Sequence, residues 1–240
     1  MVHKENRLNT SLKILNMDNK EFDYFIPFHS EDVESNVTIS HREAVTENCF
    51  TKTGYLVVRN VLNKQTLELL KIETKLQEKI TCFQKNKKIT DIFFGDSQVT
   101  NSYSHYGLLC YESLLQMIQP IIENHIQKKL FPTYSYVRIY YKDAILNRHI
   151  DRNSCEYSAS VCIHNDNNPW DIYLKTLTNE EVCLSLQEGD IVIYRGNVLE
   201  HWRNKYEGNE QIQAFLHYVD KNGDNKDYIY DKRPFIGLSK

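Results

Sequence analysis

The sequence predicts a mainly β protein with flanking helices, a jelly roll backed by N-terminal helices. Apolar residues recur at helical spacing in segments 65–80 and 118–130, whereas short apolar runs of strand character follow one another from residue 134 onward. Helices followed by many short strands are typical of a β-sandwich that packs against helices. The chain has 240 residues, of which 41% are hydrophobic. This is sufficient for one substantial core, so we expect a single main domain.

The boundary of this domain is expected near residue 45. Residues 1–45 are polar and rich in asparagine, apart from an aromatic cluster between residues 22 and 28. Because aromatic side chains bury large apolar areas, the cluster predicts an N-terminal arm that packs on the domain. Residues 46–240 then form the jelly-roll domain.

A first support helix is predicted over residues 65–80. Leu69, Ile72, Leu76 and Ile80 have the spacing of the apolar face of an amphipathic helix. Such a face normally packs on the core, so we expect these four side chains to support the sheet.

A second helical pattern lies further along the chain. The apolar spacing recurs in residues 118–130, at Ile118, Ile122, Ile126 and Leu130. Pro120 suits the first turn of a helix, where its missing N–H has no intrahelical partner. We therefore expect a short helix over residues 112–117 to end before Pro120 and a new helix to begin there.

The remaining chain is predicted to be β-structure. The strand-like runs are short, apolar or alternating, and bounded by turn residues. They cover residues 134–140, 156–163, 171–177, 182–186, 191–194 and 212–219. Their close spacing favours antiparallel pairing in a jelly roll.

Charge and cysteine content argue against several classes of protein. A net charge of −3 with interspersed signs predicts no basic surface for nucleic acid. The six cysteines lack Cys-x-x-Cys pairing, which argues against a zinc ribbon and a disulfide framework. No stretch has the length of a membrane span, and the first residues lack an apolar signal segment. We expect a cytoplasmic location, and the sequence leaves the oligomeric state open.

The tripeptide His149-Ile150-Asp151, together with the later His201, is the candidate functional motif. On an extended strand, residues i and i+2 point to the same side, so His149 and Asp151 can reach one ion. His201 follows the predicted strand 191–194 and can supply a third ligand. Two imidazoles and one carboxylate form a facial ligand set for Fe(II). The pair alone is weak evidence, because a histidine in a half-buried strand is more often a core residue.

The residues around this motif strengthen the iron interpretation. Residues 140–151 resemble the Tyr-x-x-Gly-x-x-Leu-x-x-His-x-Asp signature of 2-oxoglutarate-dependent iron(II) dioxygenases of the prolyl-4-hydroxylase-like type. Residues 189–194, which lead to His201, look like that family's strand, loop and distal histidine. Residues 54–62 are similar to its entry into the fold. The resemblance covers roughly residues 50–220, and its ordered segments are more specific than any one motif.

The resemblance implies a double-stranded β-helix enzyme that uses Fe(II), 2-oxoglutarate and O2. His149, Asp151 and His201 are the implied metal ligands and catalytic residues. The implied reaction hydroxylates an unactivated C–H bond of a small molecule or peptide side chain and forms succinate and CO2. Because Asp151 fills the position that related halogenases leave open, halogenation is not expected. The alternative is a non-catalytic jelly-roll module that binds a ligand and retains the metal residues.

The far carboxylate of 2-oxoglutarate needs a cationic partner, for which a bidentate arginine is the best geometric match. In related proteins this residue follows the distal histidine by about ten positions, but residues 208–213 offer only glutamines. Arg203 is the leading substitute, because on an extended segment it would point the same way as His201. The alternative is that Arg203 lies at the rim and pairs with Glu200 or Glu207.

Other residues are candidates for binding the same co-substrate. Gln211 and Gln213 point the same way on the predicted strand and can donate amide hydrogen bonds to the carboxylate. Lys175 is a third possible anchor, although an outward lysine is the commoner outcome. Tyr140 stands at the position of the family's tyrosine that hydrogen-bonds the co-substrate.

Three residues are candidates for substrate contact. Arg152 and Glu156 follow the His-x-Asp motif directly, where charged groups can hold a polar substrate at the barrel mouth. They can equally form an ion pair with each other. His217 is either a substrate contact or a packed core histidine, and the core role is the commoner one.

Overall fold

The structure is a computed structural model that describes residues 12–15, 21–24, 48–86 and 98–238. The chain divides into two compact units, Met1–Ala44 and Val45–Lys240. In the first unit, β1 (Leu12–Leu15) and β2 (Glu21–Tyr24) form an antiparallel pair. The rest of the predicted arm 1–45, and the packing of its aromatic side chains, lie outside the described residues.

Helices precede the main run of strands in the second unit, as the sequence predicts. They are α1 (Asn48–Thr53), α2 (Lys64–Asn86) and α3 (Leu109–Ile126). Among the described residues, no helix is both long and apolar enough to cross a membrane. The predicted helix over residues 65–80 is present and continues further than expected.

The apolar face predicted for α2 is wrong. Its four side chains are 47% to 64% exposed: Leu69, Ile72, Leu76 and Ile80. The helix instead buries a neighbouring stripe that begins with Leu67 and Leu70 and continues with Thr74, whose hydroxyl donates to the Leu70 carbonyl at 2.7 Å. The helix has more than one apolar stripe, and helical spacing alone does not say which of them meets the sheet.

The predicted break at Pro120 is also wrong, because α3 runs through it without interruption. Proline in a helix interior removes the N–H that would bond the carbonyl four residues earlier. Here Pro120 and Gln116 are both exposed, so water can satisfy that carbonyl. The helix ends where Gln127 adopts a left-handed conformation (φ 53°). Leu130, predicted as the last apolar residue of the helix, instead begins a strand.

Each of the six predicted strand segments overlaps an observed strand, and the described residues of the second unit contain four further strands. The strands are β3 (Tyr55–Val58), β4 (Ser102–Tyr106), β5 (Leu130–Tyr141), β6 (Leu146–His149), β7 (Tyr157–Asn165), β8 (Ile172–Lys175), β9 (Glu181–Leu184), β10 (Ile191–Tyr194), β11 (His201–Arg203) and β12 (Glu210–Asp220). One sheet has the order β3-β10-β7-β12-β5-β4, and the other β6-β11-β8-β9. Neighbouring strands are antiparallel. The predicted fold class, mainly β with flanking helices, is confirmed.

Alternation along β12 shows how the larger sheet separates two environments. Ile212, Ala214 and Leu216 are fully buried in the core cluster that also contains residues of α2 and α3. Burial of a leucine or isoleucine side chain contributes about 1.5–3 kcal/mol. Because successive side chains alternate, Gln213 and His217 lie on the opposite face of the sheet. The interior between the two sheets is therefore partly polar.

Candidate metal centre

Two short strands bring the candidate histidines together. In the antiparallel pair β6 and β11, His201 lies directly opposite His149, and their ring centroids are 4.2 Å apart. The expectation that one strand carries both residues of the His-x-Asp motif is only half right. Strand β6 ends at His149, and Asp151 follows it in a loop, where its backbone N–H donates to the Gly196 carbonyl at 2.8 Å.

The three side chains converge on one point. Asp151 Oδ1 lies 3.5 Å from Nε2 of His149 and 3.6 Å from Nε2 of His201. All three ligand atoms lie within 4.8 Å of one another. Metal bonds of about 2.1 Å at right angles place neighbouring ligand atoms about 3 Å apart. A small inward movement of the side chains is enough to hold a divalent ion.

Backbone carbonyls orient both imidazole rings. His149 Nδ1 lies 2.7 Å from the Asn147 carbonyl, and His201 Nδ1 lies 3.0 Å from the Leu199 carbonyl. A carbonyl only accepts, so each Nδ1 must carry a proton, and in the neutral form of either ring Nε2 is the atom whose lone pair can bind a metal. Both rings therefore present Nε2 toward Asp151 before any ion binds.

The electrostatics of the site favour metal-binding forms of two ligands. Burial raises the pKa of Asp151, but the hydrogen bond to His149 and the charges of nearby imidazoles outweigh it, and the net pKa is lowered. Burial lowers the pKa of His201. For His149, burial acts downward, but the hydrogen bond to Asp151 reverses this and raises the pKa. Asp151 is thus anionic and His201 neutral, while His149 holds a proton more readily than an ordinary histidine.

Arg203 lies deep between the sheets and not at the rim, since only 1% of it is exposed. Its Nη1 donates to the Trp170 carbonyl, and its guanidinium carbon lies 5.2 Å from the Trp170 ring centre. Its Nε and Nη2 have no hydrogen-bond partner in the described part of the chain. The rim pairing with Glu200 or Glu207 is therefore wrong. A buried guanidinium without an anion is unfavourable, so this position favours an anionic ligand.

The two glutamines and Tyr140 are also fully or almost fully buried. Gln213 Oε1 accepts a hydrogen bond from Ser160 at 3.3 Å, whereas its Nε2 has no partner among the described residues. Gln211 Oε1 is likewise without one. The Tyr140 hydroxyl accepts from Arg138 at 3.2 Å. Arg203 and Gln213 therefore supply buried N–H donors that a bound carboxylate would satisfy.

Two of the candidate residues lie elsewhere. Lys175 is on the outer side of β8, with 39% of its side chain exposed and its Nζ 4.0 Å from Glu200. It alternates with the fully buried Leu174, so it points away from the interior. Glu156 accepts a hydrogen bond from the Asp220 backbone at 3.1 Å and does not line the cavity described next.

A cavity of about 250 Å³ opens beside the candidate ligands. Its walls are mostly aromatic, with two arginines: Gln98, Tyr106, Tyr134, Tyr136, Arg138, Tyr140, Leu146, His149, Asp151, Arg152, Tyr194, Phe215 and His217.

Arg152 does not pair with Glu156. It forms a two-pronged pair with Asp231, both contacts 2.8 Å long, and its guanidinium carbon lies 4.5 Å from the Tyr134 ring centre. His217 is 5% exposed and faces the cavity, with Nδ1 2.9 Å from the Ser158 hydroxyl.

Sequence reasoning missed the contribution of the C-terminal segment Lys226–Lys232. Its residues Tyr230, Asp231 and Lys232 all have positive φ, an arrangement that L-residues seldom adopt. This turn presents Asp231 to Arg152 and to the Tyr106 hydroxyl, which donates at 2.8 Å. No strand periodicity or spacing in this segment signals the contact.

The fold of this chain is similar to those of solved structures, although its sequence has no match among family models or curated proteins. Among solved structures, HygX from Streptomyces hygroscopicus, with nickel and 2-oxoglutarate bound, matches at a TM-score of 0.54 and 12% identity, over 72% of this chain and 85% of that one. A prolyl-4-hydroxylase from Pseudomonas putida matches at 0.52 and 11%, over 72% and 96%.

The reactions of the similar structures differ. SnoK, an alpha-ketoglutarate-dependent carbocyclase from nogalamycin biosynthesis, matches at a TM-score of 0.55 and 11% identity, over 75% of this chain and 85% of that one. At such low identity the likeness shows the fold and not the reaction. The chain has the double-stranded β-helix fold of the 2-oxoglutarate and iron(II) dependent oxygenases.

Proposed function

We propose that the protein is an Fe(II) and 2-oxoglutarate dependent oxygenase. The observation that carries the proposal is the convergence of His149, Asp151 and His201, with both Nε2 atoms already turned toward the carboxylate. Three protein ligands on one face leave three positions for a co-substrate and O2. HygX, which has a similar fold, was solved with nickel and 2-oxoglutarate bound. This supports a divalent metal ion and 2-oxoglutarate as the molecules that bind at this site.

The co-substrate is proposed to bind between the metal ligands and Arg203. Its keto acid end would chelate the ion, and its far carboxylate would take the free Nε and Nη2 donors of Arg203. Gln213 Nε2 can add a third hydrogen bond, and Gln211 and Tyr140 complete the polar surroundings. Each of the unsatisfied donors would then have an acceptor, which removes a cost of about 1–3 kcal/mol per buried group.

The proposed reaction converts 2-oxoglutarate, O2 and a substrate C–H bond into succinate, CO2 and a hydroxyl group. Bound Fe(II) supplies the redox chemistry, and the protein supplies binding, orientation and exclusion of water. Tyr194, which is 1% exposed and packs edge-on against the His201 ring at 4.9 Å, closes one side of the centre. Asp151 occupies the coordination position that a halide would need, which favours hydroxylation over halogenation.

The cavity favours a small polar substrate over a large apolar one. Tyr106, Tyr134 and Tyr136 place aromatic rings along its wall, and Arg152 is held in place by Asp231. That pair uses two of the five guanidinium donors, so Arg152 retains donors for a polar group. HygX has also been solved with hygromycin B bound, which supports a small molecule, with a peptide side chain as the second candidate.

The proposal is tested by adding Fe(II) and 2-oxoglutarate to the metal-free protein without oxygen. Chelation should produce a weak visible metal-to-ligand absorption band, and admission of O2 should release succinate. A screen of polar metabolites should then find compounds that accelerate succinate release. Binding of both ligands with no succinate under any condition would instead identify a non-catalytic binding module.

A further inference from the structure

The two oxygens of the Asp151 carboxylate have different surroundings. Oδ1 is the atom that lies 3.5 Å and 3.6 Å from the two imidazole nitrogens. Oδ2, the other oxygen, lies 3.4 Å from the Ser158 hydroxyl. Ser158 belongs to β7, in the larger sheet, and is 1% exposed. The larger sheet therefore contacts the Asp151 carboxylate through Ser158, and this contact is to Oδ2.

Gly196 also lies close to Asp151 Oδ2. It lies in the turn after β10, and its carbonyl accepts the Asp151 N–H at 2.8 Å. A Cβ atom at this position would stand 2.7 Å from Asp151 Oδ2, 2.6 Å from the Cys155 carbonyl, and closer still to the Ser158 hydroxyl. Real Cβ contacts are not that short. Glycine is required here because the backbone approaches the carboxylate too closely for any side chain.

The Ser158 hydroxyl has a single proton and three polar neighbours. Asp151 Oδ2 and the Cys155 carbonyl, at 3.4 Å and 3.3 Å, only accept hydrogen bonds. His217 Nδ1, at 2.9 Å, is the neighbour that can donate. If Nδ1 accepted instead, lone pairs of the hydroxyl would face both a carboxylate and a carbonyl, which is repulsive. The favoured direction therefore runs from His217 to Ser158 and from Ser158 to Asp151 and Cys155.

The protonation of His217 is consistent with this direction. Burial lowers its pKa to about 4, so the ring is neutral at ordinary pH and carries one proton. With that proton on Nδ1, the ring donates to Ser158 and keeps Nε2 as an acceptor.

We infer that Ser158 and Gly196 are positioning residues that hold Oδ2 of Asp151, so that Oδ1 alone binds the metal, and that His217 sets the direction of the Ser158 hydroxyl. The inference rests on the proposed function. The consequence concerns the six coordination positions of the metal ion. Three would be filled by protein atoms, two by the co-substrate and one by O2. If Asp151 bound through both oxygens, it would occupy a position that the co-substrate or O2 needs.

The first test measures Co(II) affinity without oxygen, in the full-length protein. Ser158→Ala should weaken Co(II) binding about 10- to 100-fold, the usual effect of losing a partner of a metal ligand. Ser102→Ala is the matched control, because Ser102 is also 1% exposed and donates to the Val99 carbonyl at 2.7 Å away from the site. Equal affinity of Ser158→Ala and the wild type would overturn the inference. Absence of Co(II) binding by the wild type would instead overturn the proposed function.

The second test measures how the Asp151 carboxylate binds the metal and whether His217 donates the hydrogen bond to Ser158. Infrared difference spectra of protein with ¹³C-labelled aspartate should show the wide carboxylate splitting of one-oxygen binding in the wild type, and a narrower splitting in Ser158→Ala. His217→Asn retains an N–H near the position of Nδ1, whereas His217→Leu does not. His217→Asn should therefore keep more Co(II) affinity than His217→Leu. An unchanged splitting in Ser158→Ala, or equal affinities of the two His217 variants, would contradict the assignment.

Discussion

The two sheets differ in how they fix the positions of their side chains. In the larger sheet, β5 and β12 pair along 11 consecutive partners, with one register shift between His217 and Tyr218. In the smaller sheet, β6 and β11 have four and three residues, with an irregularity between His201 and Arg203. The candidate ligands lie on or just after these short strands. Their positions therefore depend less on the backbone ladder than on hydrogen bonds to backbone carbonyls and with other side chains.

This difference separates stability from chemistry. The larger sheet buries one face against the helices and holds the apolar core, while its other face lines the cavity. The smaller sheet contributes two imidazoles and the buried Arg203, which add little apolar burial. Substitutions of these three residues of the smaller sheet should therefore impair binding and turnover, and substitutions at the buried contacts of the larger sheet should impair folding.

The largest effect is expected at the ligands. His149→Ala, Asp151→Ala and His201→Ala should each abolish metal-dependent release of succinate from 2-oxoglutarate, because two ligands cannot hold the facial geometry. Thermal unfolding of the metal-free proteins should change little, since these side chains contribute little apolar burial. Wild-type turnover in any one variant would remove that residue from the proposed triad.

The next effect concerns Arg203. Its loss would leave the far carboxylate of 2-oxoglutarate without its charge partner, at a cost of about 3–5 kcal/mol for a desolvated pair. Arg203→Ala should raise the 2-oxoglutarate concentration needed for turnover at least about a hundredfold, with Co(II) affinity nearly unchanged. Arg203→Lys should recover only part, because a point charge lacks the guanidinium fork.

Lys175→Ala is the matched control for this prediction. Lys175 is on the neighbouring strand β8, but it is partly exposed and near Glu200. Its removal should leave the 2-oxoglutarate dependence unchanged. A large effect of Lys175→Ala with a mild effect of Arg203→Ala would reverse the assignment of the anchor.

The third prediction reverses the expected pattern by breaking a buried ion pair that packs on the larger sheet, where Arg233 donates to the Thr133 carbonyl of β5 and Glu112 accepts from the Ser135 N–H. Arg233 Nη2 lies 2.9 Å from Glu112 Oε2, with 2% and 0% of the two side chains exposed. Arg233→Met should lower the free energy of unfolding by about 3–5 kcal/mol, because it leaves the buried Glu112 carboxylate without its charge partner. Urea unfolding measures this loss, and Co(II) affinity should be unchanged.

The control for Arg233 is an exposed ion pair between Glu123, which is on α3 like Glu112, and Lys129, which follows that helix. Lys129 binds Glu123 at 2.7 Å with 75% of its side chain exposed, so Lys129→Met should cost at most about 1 kcal/mol. If Arg233→Met weakened Co(II) binding as strongly as it weakened folding, the separation between the two sheets would be wrong.

The sequence predicted those features that local chain geometry determines. An extended His-x-Asp segment and a histidine after a nearby strand are enough to propose the three ligands, and parity along β11 is enough to turn Arg203 inward. The exposed stripe of α2 was not predictable, because helical spacing does not say which apolar face meets the sheet. The pairing of Arg152 with Asp231 joins residues 79 positions apart. Such a contact depends on the path of the C-terminal segment, which no local pattern encodes.

The smallest effect is expected at the turn that leads into β6. Asp143 stands where the resembling signature has glycine, and its φ is 68°, the left-handed region that glycine adopts without strain. Its N–H donates to the Tyr206 carbonyl at 2.9 Å and its carboxylate lies 2.7 Å from Lys205 Nζ, so the turn is held from both sides. Asp143→Val should cost about 1–2 kcal/mol of unfolding free energy, because a β-branched side chain clashes in this conformation. Asp143→Gly should stay within about 0.5 kcal/mol of the wild type, since relief of strain offsets the added freedom of the unfolded chain. Urea unfolding of both variants checks this, and equal losses would show that the ion pair with Lys205, not the backbone conformation, determines the residue at this turn.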